Sequence, residues 1–283
     1  MRMDDLDAPR IVPGMTDDIL RTLDQLGLEW DGPVVWQSKR TDAYESAFEE
    51  LQNQGLVYSC GCSRADLVPS ASAPHPGEDG PAYPGYCRDG LKEGMVERAF
   101  RVRVTDEDIG FTDAVMGEYR QNLLHSCGDF IIRRKNGPFA YQLAVVVDDA
   151  AMGVNQVVRG ADLRSSTPRQ IHLQRFLGLH QPTYAHLPLV TAPHGLKLSK
   201  RDNAVSLTHN HDLIKNGGQL IASALVFLGQ PVPAELSKAS CRELLAWGVK
   251  HFTTVCVPRQ AGPFPYVVSR LPDFLLYEKQ KEG

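Results

Sequence analysis

Apolar residues recur at helical spacing near the amino end, with Ile19, Leu20, Leu23 and Leu26 forming one stripe and Tyr44, Ala47, Phe48 and Leu51 a second. The spacing predicts helices over 16–26 and 41–54. Thr16 suits the N-cap of the first, Asp17 and Asp18 suit the positive end of its dipole, and Gly27 and Gly55 are the expected stops. Ahead of them, Met1 to Asp7 reads as the end of a strand and the turn after it. Farther along, the period shortens. Residues 99–104 (AFRVRV) alternate as a half-buried strand does, residues 129–133 form a second strand, and residues 134–138 its turn. Residues 141–149 (YQLAVVVDD) are an apolar run with polar ends, which periodicity leaves open between buried strand and buried helix. A β-branched strand is expected over 157–163, a helix over 168–177 with Ile171, Leu173, Phe176 and Leu177 inward, and a short strand over 187–190. Helices over 214–228 and 242–247 make a helical subdomain at the carboxyl end, and no internal repeat is found.

Residues 57–90 carry neither period. They are rich in Pro, Gly, Ser and Ala, with YSCGC at one end and YPGYC at the other. A loop of this length inside a folded domain needs a tether. Zinc bound by the thiolates of Cys60, Cys62 and Cys87 would provide one. By ordinary zinc chemistry His75 is the best fourth ligand, with Tyr83 and Tyr86 as unusual candidates. Three reduced thiols in a mobile insertion are the other reading.

Composition narrows the class without changing these elements. The 283 residues are 42% hydrophobic, enough for one large domain or two small ones. A net charge of −4 means that a nucleic-acid partner must be met by a local basic patch. No apolar run is long enough to span a bilayer, and no cationic-then-apolar leader opens the chain. Six unevenly spread cysteines do not make a disulfide scaffold, which points to a reducing cytoplasm.

The candidate chemistry lies at strand ends. The strand at 187–190 breaks at Pro193 and Gly195 and then carries Lys197, Ser199, Lys200 and Arg201. A basic, glycine-bearing loop leaving the carboxyl end of a strand is a usual phosphate site in α/β proteins, and lysine is a mobile point charge suited to it. Arg159 precedes Gly160, so a guanidinium able to grip a carboxylate bidentately sits where a ligand can come close. The plainer reading of Arg159 is a surface salt bridge. The acidic run Asp4, Asp5, Asp7 is either a solvated turn or a seat for a ligand's ammonium group.

Taken in order, DDLD followed by PR, CGC…YPGYC, AYQLAVVVDD, VVRGADL and KLSKR resemble the catalytic core of glutamyl-tRNA synthetases, a class I aminoacyl-tRNA synthetase family, over roughly residues 2–247. The chain ends too soon after Arg201 for the family's anticodon-binding portion. The resemblance is therefore to truncated members that glutamylate queuosine in tRNA(Asp). It implies an α/β fold with a Rossmann-like doubly wound parallel sheet, a zinc-binding insertion and a helical subdomain. The expected division is 1–56 and 99–206 for the catalytic domain, 57–98 for the zinc-binding insertion, and 207–283 for the helical subdomain and tail. The family's HIGH-type motif lies before DDLD, so the sheet is expected to lack its first strand–helix unit here, and a start site set too far downstream is the expected cause.

The resemblance also implies roles. Lys200, supported by Lys197 and Ser199, meets the phosphates of ATP, which enters with Mg2+. Asp4 binds the ammonium of glutamate, Tyr141 and Arg159 line its pocket, and Arg159 faces its side-chain carboxylate. One structural zinc takes Cys60, Cys62, Tyr83 and Cys87. The implied partners are glutamate, ATP and queuosine-containing tRNA(Asp), for a cytoplasmic monomer. Two other readings fit the same residues: an inactive tRNA-binding or zinc protein, and a fragment of an ordinary synthetase charging the 3′ end. A zinc hydrolase fits poorly, since the cysteine cluster leaves no open metal position or nearby base.

Overall fold

One-sided burial explains the best-formed helix of the amino half. A computed structural model describes residues 1–7, 11–63, 66, 82–135, 137–191 and 213–263. In it α2 (Thr41–Asn53) turns Tyr44, Ala47, Phe48 and Leu51 inward, as the spacing predicts. They meet an antiparallel sheet in the order β3 (Val57–Cys60), β4 (Ala99–Val102), β7 (Phe130–Arg134). Strand β3 occupies the start of the segment in which no period was expected.

The run at 141–149 is helical, as α4 (Tyr141–Ala151). Leu143, Ala144, Val145 and Val146 are all buried, so consecutive apolar positions around the helix erase the periodic signal. With Ile171 and Leu173 of α5 (Thr167–Phe176), they share one core with Val102, Phe130 and Ile132.

A second sheet runs in the order β6 (Gly117–Asn122), β5 (Asp108–Asp113), β9 (Thr183–Leu187), β8 (Gln156–Gly160). Its β5–β6 pair is an antiparallel hairpin, whereas β9 lies parallel to both β5 and β8. The connection β8–α5–β9 is thus a parallel crossover, and its register sets Arg159 opposite His186.

The structure corrects several expectations. In place of one doubly wound parallel sheet, the described strands form separate sheets of mixed direction. Two of these are short parallel pairs, β1 (Arg2–Met3) with β2 (Val35–Trp36) and β10 (Val190–Thr191) with β11 (Gly262–Pro263). Strand β8 stops at Gly160, and residues 161–166 form a 3-10 helix that folds the Asp162 carboxylate back so close that a Cβ at position 160 would lie 2.5 Å from it. The strand expected over 187–190 is split between the end of β9 and the start of β10, and Pro188 at the split has no N–H for a ladder.

Helix α1 (Met15–Gln25) is capped by Gly14, with φ +79°, rather than by Thr16, which sits in its first turn. Its stripe is largely open: Ile19 is 43% exposed, and only Leu26 just beyond the helix is buried. Leu26 joins Leu213, Ile221, Ala222 and Leu244 in a second core built by α6 (Leu213–Phe227) and α7 (Cys241–His251). These helices approach closely because Gly217 and Gly218 leave no room for a Cβ beside Cys241 and Ala239. Helix α7 runs past 242–247, and a full capping box starts it at Cys241, with the Ser240 hydroxyl and the Glu243 carboxylate each serving the other's backbone.

Candidate functional site

Two of the expected pocket residues line one cleft of about 460 Å3, Asp4 at its rim and Tyr141 at the first turn of α4. Leu6, Asp7, Gln37, Arg134 and Phe139 help to close it. Asp4 is paired with Arg2, whose Nε donates to Asp4 Oδ1 at 2.7 Å and whose NH1 donates to Asp149 Oδ1 at 2.5 Å. Burial works against the charge on Arg2, but the two carboxylates outweigh it and hold its pKa above the ordinary arginine range. Burial raises the Asp149 carboxyl despite the opposing bond from Arg2.

Under this rim Asp148, with no exposed side chain, accepts hydrogen bonds from Gln37 Nε2 (2.9 Å), Arg40 Nε (2.5 Å) and the Tyr44 hydroxyl (2.8 Å). The pair Asp148–Asp149 therefore anchors both the first strand and α2 to the end of α4. Sequence reasoning quoted this pair as part of a motif and gave it no role.

Arg159 joins the cleft through Tyr141. Strand alternation puts it on the same face as Val157, which packs on the core. Its Nε donates to His186 Nε2 at 3.1 Å, its NH2 donates to Thr167 Oγ1 and Gln170 Oε1 at 2.8 Å each, and its NH1 reaches the Tyr141 hydroxyl at 3.4 Å. The side-on fork expected for a carboxylate is thus partly filled by protein acceptors, and NH1, with its long contact to the Tyr141 hydroxyl, is the nitrogen least engaged by the protein. Behind it, His186 Nδ1 lies 2.5 Å from Asp113 Oδ2, both side chains fully buried.

Burial and the nearby Arg159 charge hold the His186 pKa below the ordinary histidine range, against the opposing pull of Asp113. Burial pushes the Asp113 carboxyl up, but N–H groups of Met116 and Val115 together with His186 hold it below its usual value. Asp113, Thr167, Gln170 and His186 were not expected from the sequence. For Asp113 a signal existed, since it continues the inward alternation of Ile109 and Phe111 along β5.

The thiols of Cys60, Cys62 and Cys87 lie within 4.8 Å of one another, and among the described residues this is the one cluster of metal-ligating groups of its kind. Cys62 and Cys87 Sγ are 3.6 Å apart, and the Tyr83 hydroxyl oxygen lies 3.6 Å from Cys60 Sγ and 3.7 Å from Cys62 Sγ. A tetrahedron with zinc–sulfur arms of about 2.3 Å has edges of about 3.8 Å, and these three separations match the edges of such a site.

The electrostatics agree with that fit. Burial raises the Cys60 thiol, yet the hydrogen bond from Arg101 Nε (3.2 Å) and that with Tyr83 bring it below its ordinary value. Cys62 is pushed up to about 11, first by burial. Neighbouring thiols in an apolar site cannot all ionise unless a cation joins them. Arg101 also stacks on the Tyr83 ring, 3.7 Å from its centroid, and the Cys87 N–H donates to the Tyr83 oxygen at 2.9 Å. His75 lies outside the described residues, as do Lys197, Ser199 and Lys200. Thr191, the last described residue before Lys197 in the sequence, is five residues beyond His186. No described helix is long and apolar enough to cross a membrane.

A family model described as the catalytic domain of class I tRNA synthetases (E and Q) matches residues 1–238. Glutamyl-Q tRNA(Asp) synthetase of Geobacter sulfurreducens is 57% identical over 264 residues, which is 93% of this chain and 84% of that protein. The enzyme of the same name from Dechloromonas aromatica is 51% identical, over 92% of this chain and 85% of that protein. Among solved structures, a glutamate tRNA ligase from Elizabethkingia meningosepticum in complex with its amino acid has a similar fold, with a TM-score of 0.72 and 24% identity. The match covers 94% of this chain, and the chain spans 60% of that ligase.

Proposed function

Because the chain belongs to the class I tRNA synthetase family of the E and Q type, we propose that it activates glutamate with ATP and passes the glutamyl group to queuosine in tRNA(Asp). The amino-acid assignment is carried by Arg159, held with NH1 toward Tyr141 at the edge of the cleft that Asp4 lines. The choice of acceptor follows from the relatives that bear that activity in their name.

In the first step the α-carboxylate of glutamate attacks the α-phosphorus of ATP, and pyrophosphate leaves. The protein's part is to position the reactants and to neutralise charge as it moves to the leaving phosphates. Asp4 receives the ammonium group, while NH1 of Arg159 and the Tyr141 hydroxyl receive the side-chain carboxylate. These donors suit an acid, because the NH2 of an amide would face a guanidinium with no acceptor of its own. Lys200, Lys197 and Ser199 take the phosphates of Mg2+-bound ATP. In the second step the adenylate's carbonyl is attacked by a hydroxyl of the queuosine cyclopentene-diol, and AMP leaves.

Zinc, bound by Cys60, Cys62, Tyr83 and Cys87, would supply cross-linking of the insertion and no chemistry. The test is transfer of labelled glutamate, with ATP and Mg2+, to tRNA(Asp) with and without queuosine. Labelling that requires queuosine supports the proposal. Labelling of both RNAs at the 3′ adenosine refutes it in favour of ordinary charging.

A further inference from the structure

We infer that His186, fixed by Asp113, positions Arg159 toward the substrate's side-chain carboxylate and so sets the preference for the acid over its amide. The inference rests on the role given to Arg159 above. A guanidinium carries five N–H donors. On Arg159, the Nε–H goes to His186, and the two hydrogens of NH2 go to Thr167 and Gln170. Only NH1 remains for a ligand, with a long contact to Tyr141 at 3.4 Å. Its direction is therefore set by three acceptors along the other edges of the guanidinium.

Among those acceptors, the imidazole nitrogen is the one that stops accepting when it carries a proton, since it has a single lone pair. His186 Nε2 must present its lone pair to take the Nε–H. Asp113 enforces this, because a carboxylate only accepts, so the 2.5 Å contact places the imidazole proton on Nδ1. Asp113 is itself clamped, with Oδ1 accepting from the backbone N–H of Val115 at 2.9 Å and of Met116 at 2.8 Å. The His186 backbone N–H adds contacts of 3.1 Å to each carboxylate oxygen. The Thr167 oxygen accepts from Arg159 and lies 3.3 Å from His186 Nε2, in contact with both groups. Phe111 and Tyr184 flank the imidazole with uncharged rings, and Arg164 adds positive charge that favours its neutral form.

A histidine present only to fill space could be replaced by a hydrocarbon, whereas a positioning histidine needs an acceptor at Nε2. The test measures the dissociation constants of glutamate and glutamine for the full chain, with the thermal midpoint as a check on folding. His186→Leu and Asp113→Asn are expected to weaken glutamate binding by ~10-fold or more and to narrow the glutamate-to-glutamine ratio. His186→Gln, whose amide oxygen can replace Nε2, should recover most of both. Unchanged constants in His186→Leu, with Arg159→Gln strongly weakened, would overturn the positioning role and leave the Arg159 assignment standing. Unchanged constants in Arg159→Gln would overturn both. Equal loss in His186→Leu and His186→Gln, in step with a lowered thermal midpoint, would reduce His186 to a core residue and also overturn the inference.

Discussion

Asp148 shows how one side chain can hold the rim of a cleft without touching a ligand. It is fully buried yet charge-paired with Arg40, and it accepts from Gln37 and Tyr44 as well. Burial and Asp148 together keep the Tyr44 phenol protonated, so it remains a donor. Asp148→Ala leaves these donors facing a void and removes the counter-charge of Arg40, which should cost ~3 kcal/mol. Asp148→Asn should cost less, because its amide oxygen still accepts, and urea unfolding of the two variants would show the order. Reversal of that order would mean that the asparagine NH2, turned toward other donors, costs more than the lost acceptor. Lys200 is the opposite kind of residue, one assigned by chemistry and resemblance alone. Lys200→Ala should lower glutamate-dependent ATP–pyrophosphate exchange by ~100-fold or more with an unchanged unfolding midpoint. Exchange at the native rate would remove Lys200 from the phosphate site.

At the scale of elements, the cysteine-bearing segment is held against the body by a close backbone approach at Gly128. Tyr83 forms a bridge with Gly128, and the Tyr83 N–H donates to the Cys127 carbonyl at 2.9 Å. A Cβ on Gly128, where φ is +65°, would lie 2.1 Å from the Tyr83 carbonyl oxygen. Gly128→Ala should therefore cost more than the ~1 kcal/mol of a left-handed alanine alone and should displace Tyr83 from the thiols. Gly153, at φ +67° with open space around it, is the control that pays only the backbone term. Equal midpoints for the two alanine variants would show that the approach tolerates a side chain. None of this was legible in the sequence, because contact between residues 83 and 128 leaves no mark on local spacing. What was legible was one-sided burial. The stripe of α2 reported the core it faces, whereas the similar stripe of α1 overstated its burial, since the helix meets the rest of the protein mainly at Leu26. The helix at 141–149 was unreadable for the opposite reason, being buried on most sides. In the candidate site, Arg159 stood out through its glycine neighbour. The Asp113–His186 pair, 73 residues apart, did not, and only strand order brings the two together.

For the whole molecule, the two cores and the cysteine cluster form a division of labour that metal removal would expose. The main core lies between α2, α4, α5 and the central strands, and the second core belongs to α6 and α7 with Leu26. The cluster instead joins three stretches of chain. Cys60 ends β3, Tyr83 and Cys87 lie farther along the same insertion, and Tyr83 leans on Gly128 ahead of β7. Arg101 on β4 links them to the sheet through Cys60 and the Asp129 carbonyl, the latter at 2.6 Å. Because these ties run into β4 and β7 and not into α6 or α7, loss of a metal should loosen one end of the sheet and spare the carboxyl-terminal helices. The purified protein should carry about one zinc per chain. Chelation should raise amide hydrogen exchange in residues 57–62, 82–104 and 127–134 while leaving 213–251 protected. The thiol electrostatics add a sign to this. Cys62, raised to about 11, must lose its proton to bind, so metal capture should release protons and weaken as pH falls. Protein that lacks stoichiometric zinc yet shows full protection across 57–62 and 82–104 would mean that apolar packing of Cys60, Tyr83 and Cys87 alone secures the insertion.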